Sequence, residues 1–308
     1  MRFRTPVAVE KSPLRLTHRT GVMLMGSCFT THIAQRLSQR GFEVCQAMGT
    51  LYNPASIAAA VERLQTGKKI CPSELFGQNG RYHSYDFHSD FSAETAEAAL
   101  ERMNAAIEAG HQALQTEGPL FVTLGTAWVY RLKESGRVVA NCHRSDARIF
   151  EREMLTTDAC TDCLERICAA AANKTVVWTV SPIRHLGEGL HDNTLSKSCL
   201  HLAIAEICRR HPQQCEYFPA YEALMDDLRD YRFYAEDMVH PSPVAADYVY
   251  ELLEAAYMDD DTRQAAARYE ALNKTLGHRS RQAGSERHRQ LTEQTQARLH
   301  DLDQQYKR

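Results

Sequence analysis

The sequence lacks a hydrophobic run long enough to cross a membrane, and it lacks a strong excess of charge of either sign. Its 308 residues include 36 Lys and Arg against 39 Asp and Glu, which gives a formal net charge of −3. A membrane-spanning helix needs about 20 consecutive apolar residues, and charge-driven binding to nucleic acid needs a clustered basic face. We therefore expect neither a membrane nor a nucleic-acid partner.

An apolar stretch is also missing behind the basic N-terminal residues, and the apolar run at 21–25 is too short for the core of a signal peptide. The ten cysteines show none of the compact spacing of small secreted domains. Cys160 and Cys163 have the spacing of half a zinc site, but their apolar neighbours suit a helix and no second pair completes the ligands. We expect a cytoplasmic protein with no metal and no other cofactor.

Segments with strand and helix periodicity alternate along the chain, which is the usual pattern of a parallel sheet covered by helices. The continuous apolar runs at 120–124 and 175–180 are typical of buried strands. The elements predicted from these patterns are strands at 21–25, 42–45, 120–124, 175–180 and 216–218, a hairpin at 128–140, and helices at 28–40, 54–64, 93–116, 151–172, 193–211 and 242–257.

The composition changes after Met258, where aliphatic residues become sparse and Gln, Arg, Asp and Glu dominate. We therefore divide the chain into a globular domain at 1–257 and a charged helical extension at 258–308. The apolar residues of the extension recur at loose helical spacing: Leu291, Leu299, Leu302 and Tyr306. This pattern predicts one or two helices that pack on a partner or join two copies in a homo-oligomer, and the alternative is a largely frayed tail.

The most informative run is Gly21 to Phe29, in which an apolar strand ends at Gly26-Ser27 and a helical pattern begins. A serine at such a turn has its hydroxyl exposed at the carboxyl end of the sheet, and its N–H is among the unpaired donors that open a helix. These are the requirements of a nucleophile with part of an oxyanion hole. The alternative is that Ser27 only caps the helix, as serine often does.

A second informative run lies near the other end of the domain, where Asp237 and His240 are separated by two residues. Pro241 restricts the residue before it to extended or turn geometry, so the pair belongs to a loop. A histidine that accepts a proton needs a carboxylate to fix its tautomer and to stabilise the imidazolium. The two runs together indicate a nucleophile, a base and an orienting acid.

The run Gly26-Ser27-Cys28-Phe29-Thr30 resembles the signature of the GSCFA family, with Thr30 in the place of the final alanine. The resemblance covers about residues 1–257, and the other stretches that carry it are Leu51–Pro54, Leu124–Tyr130, Asn141–His143, Ser181–His185 and Leu228–Tyr234. The family in turn looks like a branch of the SGNH, or GDSL-like, esterases and lipases. This resemblance implies a three-layer α/β/α sandwich with a mostly parallel sheet, to which the C-terminal helical extension is added.

The superfamily takes its nucleophile from the first block and its Asp-x-x-His from the last, so the resemblance implies a triad of Ser27, His240 and Asp237. The backbone N–H groups of Ser27 and Gly49 are the first candidates for the oxyanion hole, because glycine lets the backbone approach closely. The usual Gly-x-Asn-Asp is missing after the strand at 120–124. We expect Asn141 to replace its amide, with the Thr126 hydroxyl as the alternative.

Further polar residues fall on the same predicted edge of the sheet. Those that we assign to substrate binding are Asn53, His88, His143, Arg184 and His185. Arg184 suits an anionic group through its bidentate fork. A metal site at His83, Asp86 and His88 is the weaker interpretation, since a hydrogen-bonded strand edge explains this pattern equally well. Cys28 is a rival nucleophile that we expect to pack between sheet and helix.

We therefore predict a serine-dependent esterase that removes a small acyl group, such as acetyl, from a carbohydrate-like or small polar ester through an acyl-enzyme. An acyltransferase with the same mechanism differs only in its acceptor. A non-catalytic binding or scaffold protein on a hydrolase fold is the other alternative, which the missing Gly-x-Asn-Asp favours and the retained Ser27, Asp237 and His240 disfavour.

Overall fold

The structure is a computed structural model that describes residues 4–187, 189–277 and 286–307. The strands, in chain order, are β1 (Val22–Gly26), β2 (Val44–Cys45), β3 (Phe76–Gln78), β4 (Arg81–His83), β5 (Leu120–Leu124), β6 (Trp128–Leu132), β7 (Val138–Val139), β8 (Phe150–Met154), β9 (Val176–Val180) and β10 (Cys215–Tyr217). The helices are α1 (Phe29–Gln39), α2 (Pro54–Thr66), α3 (Ala96–Gln115), α4 (Thr157–Ala170), α5 (Leu190–Arg210), α6 (Ala220–Glu222), α7 (Pro243–Tyr257), α8 (Asp260–Gly277) and α9 (Glu286–Tyr306).

The central sheet has the strand order β10-β9-β5-β1-β2, and all neighbouring pairs are parallel. Every residue of β1, β5 and β9 is buried, because a parallel sheet carries helices on both of its faces. Alternate residues of β1 enter different clusters. Met23 and Met25 join the core beneath α2, α3, α4 and α5, whereas Val22 and Leu24 join the core beneath α1 and α7. The predicted three-layer α/β/α sandwich is confirmed.

A second, antiparallel sheet with the order β7-β6-β8 stands beside the central one. Its β6–β7 hairpin was predicted, but the predicted helix start at 151 is wrong. Residues 150–154 form β8 and pair with β6 over five positions, and the helix begins only at Thr157. The charged residues of this segment suit a helix, but pairing along β6 outweighs local propensity. The Arg131–Glu153 ion pair of 2.9 Å adds to this pairing.

The C-terminal helices fold back onto the domain. The Tyr269 hydroxyl of α8 donates to Asp303 of α9 at 2.9 Å, and the Asn273 amide donates to the Gln39 carbonyl at the end of α1 at 2.7 Å. Residues 260–277 and 286–306 are therefore ordered helix rather than the frayed tail of the alternative interpretation. Residues 278–285 and 308 of the predicted extension lie outside the described residues, and the homo-oligomer stays a prediction.

No helix in the described part of the chain is both long enough and apolar enough to span a bilayer. The parallel strands share one orientation, so the segments that follow β1, β5 and β9 leave the sheet at the same edge. The loop between α6 and α7 brings residues 237–240 to this edge as well, directly before α7.

Candidate active site

The turn after β1 holds Ser27 below the surface. Gly26 has φ +135°, and a Cβ at this position would lie 2.1 Å from the Thr123 carbonyl oxygen, so only glycine fits. The N–H of Ser27 donates to the same carbonyl at 3.0 Å, which removes it from the predicted oxyanion hole. Ser27 is 1% exposed, and its hydroxyl has no hydrogen-bond partner among the described residues. The predicted exposure of this hydroxyl is wrong.

Cys28, the next residue, faces the candidate base. Its Sγ lies 3.6 Å from Nε2 of His240, within hydrogen-bond range for sulfur. The side chain is partly exposed and lines a cavity together with His240. Part of it contacts the core beneath α1, as expected for packing between sheet and helix, but its sulfur also faces the imidazole. The structure places a thiol, rather than a hydroxyl, opposite the imidazole.

Asp237 and His240 lie together as the spacing predicts. Nδ1 of His240 is 2.6 Å from Oδ2 of Asp237, while Oδ1 accepts the backbone N–H groups of Val239 and His240, each at 2.9 Å. The His240 N–H is the largest of the influences that lower the pKa of Asp237 to about 2, followed by the Val239 N–H and the imidazole. The carboxylate is therefore ionised at neutral pH, and it fixes the Nδ1–H tautomer that leaves Nε2 free to accept a proton.

The Cys28 thiol is protonated in the free protein at neutral pH. Burial raises the pKa of Cys28, and hydrogen bonds from the backbone N–H groups of Cys28 and Phe29 to the sulfur oppose this shift. These N–H groups belong to the first turn of α1, where backbone donors have no partner within the helix. A protonated thiol next to a free imidazole nitrogen needs that imidazole as a general base.

The cavity in front of Cys28 has a volume of about 740 Å³. One wall comes from the carboxyl edge of the central sheet and the other from the β7-β6-β8 sheet. Its aromatic lining residues are Tyr52, Trp128, Tyr130 and Phe150. A second cavity of about 550 Å³ lies beside β2 and α3, and neither Cys28 nor His240 lines it.

The structure does not support the two other predicted oxyanion donors, Gly49 and Asn141. Gly49 is absent from the cavity lining. Its φ is +75°, and a Cβ at this position would lie 2.6 Å from the Cβ of His88. Glycine is therefore required here by the backbone conformation and by packing against His88. Asn141 lines the cavity, but its amide nitrogen donates to Ser89 at 3.3 Å and its oxygen accepts the His143 N–H at 2.8 Å. One end of the Asn141 carboxamide is therefore engaged with Ser89 of a distant segment, and the other with the backbone of its own loop.

The hydroxyl of Thr126, the alternative donor, is 3.0 Å from the Ser196 hydroxyl. Asn53 has the free amide instead. Its Oδ1 accepts the Ser56 N–H at 2.8 Å as the N-cap of α2, while Nδ2 of this cavity-lining residue donates to no described residue. The sequence signal for this cap is Asn53-Pro54 at a helix start, because proline is favoured in the first turn.

The remaining predicted binding residues separate into two groups. His88, Arg184 and His185 line the cavity, whereas His143 does not. Nε2 of His143 is 2.7 Å from the Ser84 carbonyl and Nδ1 is 3.3 Å from the Ser89 hydroxyl, which makes it part of the fold.

The residues of the weaker metal interpretation are engaged elsewhere. Asp86 pairs with Arg63 and Arg137, and Nδ1 of His83 is 2.7 Å from the Ser92 hydroxyl. Among the described residues, no group of three or more His, Cys, Asp or Glu could hold a metal ion.

Lys197 was missed from the sequence, although it lies directly behind the site. Its Nζ donates to the carbonyls of Gly125 at 2.6 Å and Ser181 at 2.8 Å, the residues that follow β5 and β9. Burial lowers the pKa of Lys197 to about 7. Burial, followed by the charges of Lys197 and His240, lowers the pKa of His185 to about 4, so His185 is neutral near pH 7.

Comparison with known proteins gives a family match and three matches among solved structures. The family model described as GSCFA family matches residues 21–253, and no curated protein matches the chain. An acetyl xylan esterase from the rumen bacterium Butyrivibrio proteoclasticus is similar in structure, with 11% sequence identity and a TM-score of 0.39. The match covers 77% of this chain and 63% of that esterase, so the chain spans less than two thirds of that protein's length.

Proposed function

We propose that this chain, which belongs to the GSCFA family, is a cysteine-dependent acyl hydrolase that cleaves carboxylic esters through a thioester acyl-enzyme. The observation that carries the proposal is the continuous line from the Cys28 thiol through the His240 imidazole to the Asp237 carboxylate, with contacts of 3.6 and 2.6 Å. A nucleophile, a base within hydrogen-bond reach and a group that orients the base are the elements of covalent acyl transfer.

The first half-reaction forms the acyl-enzyme. Nε2 of His240 takes the Cys28 proton as the sulfur attacks the ester carbonyl, and the carbonyl π electrons move to oxygen. The oxyanion then re-forms the carbonyl and expels the alkoxide, which takes the proton from His240. The products are an alcohol and a thioester at Cys28.

The second half-reaction releases the acid. Water gives a proton to Nε2 of His240 and attacks the thioester carbonyl, and collapse of the tetrahedral intermediate expels the Cys28 sulfur, which regains the proton. An acyltransferase would use an alcohol acceptor in place of water, so adding such an acceptor and measuring the product ratio distinguishes transfer from hydrolysis.

Two N–H groups are the proposed hydrogen-bond donors to the oxyanion of each tetrahedral intermediate. The backbone N–H of Cys28 lies at the first turn of α1, beside its own sulfur, and Nδ2 of Asn53 is the uncommitted amide of the cavity wall. A single donor of this kind is worth about 3–4 kcal/mol in the transition state. We expect a small acyl group, such as acetyl.

Hydrolysis of p-nitrophenyl acetate by the purified full chain tests the proposal. We expect His240→Ala to lower kcat/KM by about 10³-fold or more, because the thiol loses its base. His300, on the exposed side of α9, provides the matched control, and His300→Ala should hydrolyse the ester at the wild-type rate. Equal activity of all three proteins would refute the proposal.

A further inference from the structure

We infer that Arg184 binds an anionic group, a carboxylate or a phosphate, on the leaving-group side of the ester. This inference rests on the proposed function for the reaction, but the binding of an anion at Arg184 can be measured without turnover. Arg184 follows β9 and lines the cavity that contains Cys28 and His240.

The guanidinium of Arg184 has neighbours that orient it but do not neutralise it. Its carbon lies 4.6 Å from the ring centroid of Tyr234 and 5.5 Å from that of Tyr231, and Nη2 donates to the backbone carbonyl of Met238. Ring faces and a carbonyl are partners for N–H groups and for a cation, but none of them carries a full negative charge. Arg184 forms no ion pair with any described residue.

One of its donors is also left without a partner. Nε of Arg184 is buried and has no acceptor among the described residues. Burying a donor without an acceptor is unfavourable, so the free protein holds this side chain in an unfavourable state that an anionic ligand would relieve. Arginine suits such a ligand because its planar fork matches carboxylate and phosphate oxygens.

The rest of the cavity has a matching charge pattern. The described residues that line it include Arg184 and the histidines His88, His185 and His240, but no aspartate or glutamate. The ionised Asp237 contacts His240 but is not part of this lining, so the charge next to the cavity at Arg184 favours an anionic substrate over a cationic one. The aromatic wall then remains for the uncharged part of the substrate.

The hydrogen bond from Arg184 to the Met238 carbonyl indicates which part of the ester lies next to Arg184. Met238 lies in the turn between Asp237 and His240, so Arg184 is attached to the loop that carries the base. In the proposed reaction His240 protonates the leaving alkoxide, and the leaving group therefore departs beside this loop. An anion on the alcohol part of the ester can reach Arg184 while the acyl carbonyl lies at Cys28.

Matched aryl acetates test this inference in the full chain. The probes are 3- and 4-acetoxybenzoate, 4-acetoxyphenyl phosphate and the neutral methyl 4-acetoxybenzoate. Because leaving groups differ in reactivity, the quantity compared is the ratio of kcat/KM for an anionic and the neutral ester, in wild type and in Arg184→Gln. We expect this ratio to fall about 30-fold in Arg184→Gln, the loss of a charge-assisted hydrogen bond.

Two further variants separate binding from positioning. Arg184→Lys keeps the charge but not the fork, so its ratio should lie between those of wild type and Arg184→Gln. Arg232→Gln, which removes an exposed arginine paired with Asp230, should leave the ratio unchanged. If Arg184 only positioned the His240 loop, Arg184→Gln would slow the neutral and anionic esters equally, and that result would overturn the inference. The preferred anion identifies carboxylate or phosphate as the ligand.

A binding measurement keeps the inference testable if the protein hydrolyses none of these esters. Cys28→Ala is titrated by calorimetry with 4-hydroxybenzoate and with phenyl phosphate, with and without Arg184→Gln. Binding that weakens at least tenfold in the double variant supports the anion site even where the proposed function fails. Absence of binding by both anions, or equal binding in both proteins, overturns the anion site and leaves the esterase proposal to its own test.

Discussion

Nε2 of His240 lies 3.6 Å from Sγ of Cys28, although the two residues are 212 positions apart in the chain. The adjacent Ser27 is almost fully buried, and no residue in the described part of the chain forms a hydrogen bond with its hydroxyl. A general base acts on the proton that it can reach. This relationship makes Cys28 the proposed nucleophile and gives Ser27 a role in the turn.

Substituting Ser27 and Cys28 separately distinguishes the nucleophile from the residue that serves the turn. We expect Cys28→Ala to lower kcat/KM for p-nitrophenyl acetate by about 10³-fold or more, since the acyl group loses its acceptor atom. Ser27→Ala should remain within about threefold of wild type, and its free energy of unfolding should be unchanged or higher, because a buried hydroxyl without a partner is removed. Full activity of Cys28→Ala together with loss in Ser27→Ala would reverse the assignment.

The Asp237 carboxylate is expected to act through His240. Asp237→Asn can still accept the Val239 and His240 N–H groups, but an amide next to Nδ1 favours the wrong imidazole tautomer. We predict that kcat falls by about 10²–10⁴-fold while the melting temperature changes little. The control is Asp230→Asn, which alters an exposed carboxylate of the preceding turn. An Asp237→Asn variant with normal kcat would show that His240 needs no orienting group.

The raised pKa of Cys28 predicts how the free enzyme reacts with iodoacetamide. Since burial keeps the thiol protonated and only the thiolate is alkylated, the rate at Cys28 should rise about tenfold per pH unit from pH 6 to 8 without a plateau. Mass spectrometry of the peptide that contains Cys28 follows this reaction separately from the other thiols. A plateau below pH 7 would instead indicate a resting thiolate–imidazolium pair.

The lowered pKa of His185 predicts a loss of stability in acid. Its folded-state pKa is about 4, below the unfolded value of about 6.5, so the unfolded chain binds the proton first. The stabilisation is fully present above pH 6.5 and is lost progressively as the pH falls towards 4. Between pH 7.5 and 5, wild type should lose on the order of 1–2 kcal/mol relative to His185→Gln.

Thermal unfolding of both proteins at the two pH values measures this difference, with His191→Gln on the exposed face of α5 as the control. The expected change is a few degrees in Tm for wild type relative to His185→Gln. Parallel Tm profiles for wild type and His185→Gln would show that the imidazole does not resist protonation.

The layers of the fold and the contact between Asp237 and His240 were predictable from the sequence. Continuous apolar strands alternating with amphipathic helices leave few arrangements other than a parallel sheet between two helix layers. The short spacing of Asp237 and His240 before Pro241 was enough to predict their contact. The family resemblance is confirmed by the match over residues 21–253.

The identity of the residue opposite His240 was not predictable from spacing. Ser27 and Cys28 both lie in a strand-to-helix turn. Side chains of consecutive residues in such a turn point in different directions, so a shift of one position decides which of the two faces the imidazole. The backbone of Gly26, at φ +135°, and the bond from Ser27 to the Thr123 carbonyl decide which of them faces the cavity. Neither feature has a signal in the sequence beyond the glycine itself.

Residues that act through long-range contacts were also missed. Lys197 is a charged residue within a helix, and only the assembled strand ends show that its ammonium joins Gly125 to Ser181. The amide of Asn53 is defined by its role as a cap of α2. In both cases the partner is a backbone group, whose position depends on the fold rather than on residue type.

Trapping the acyl-enzyme identifies the atom that carries the acyl group. Full-length protein is mixed with p-nitrophenyl acetate, quenched in acid within the first turnovers and digested, and the peptide that contains both Ser27 and Cys28 is sequenced by tandem mass spectrometry. We predict an acetyl group on the sulfur of Cys28 that neutral hydroxylamine removes and that is absent from His240→Ala. An acetyl group on the oxygen of Ser27, stable to neutral hydroxylamine, would contradict this account.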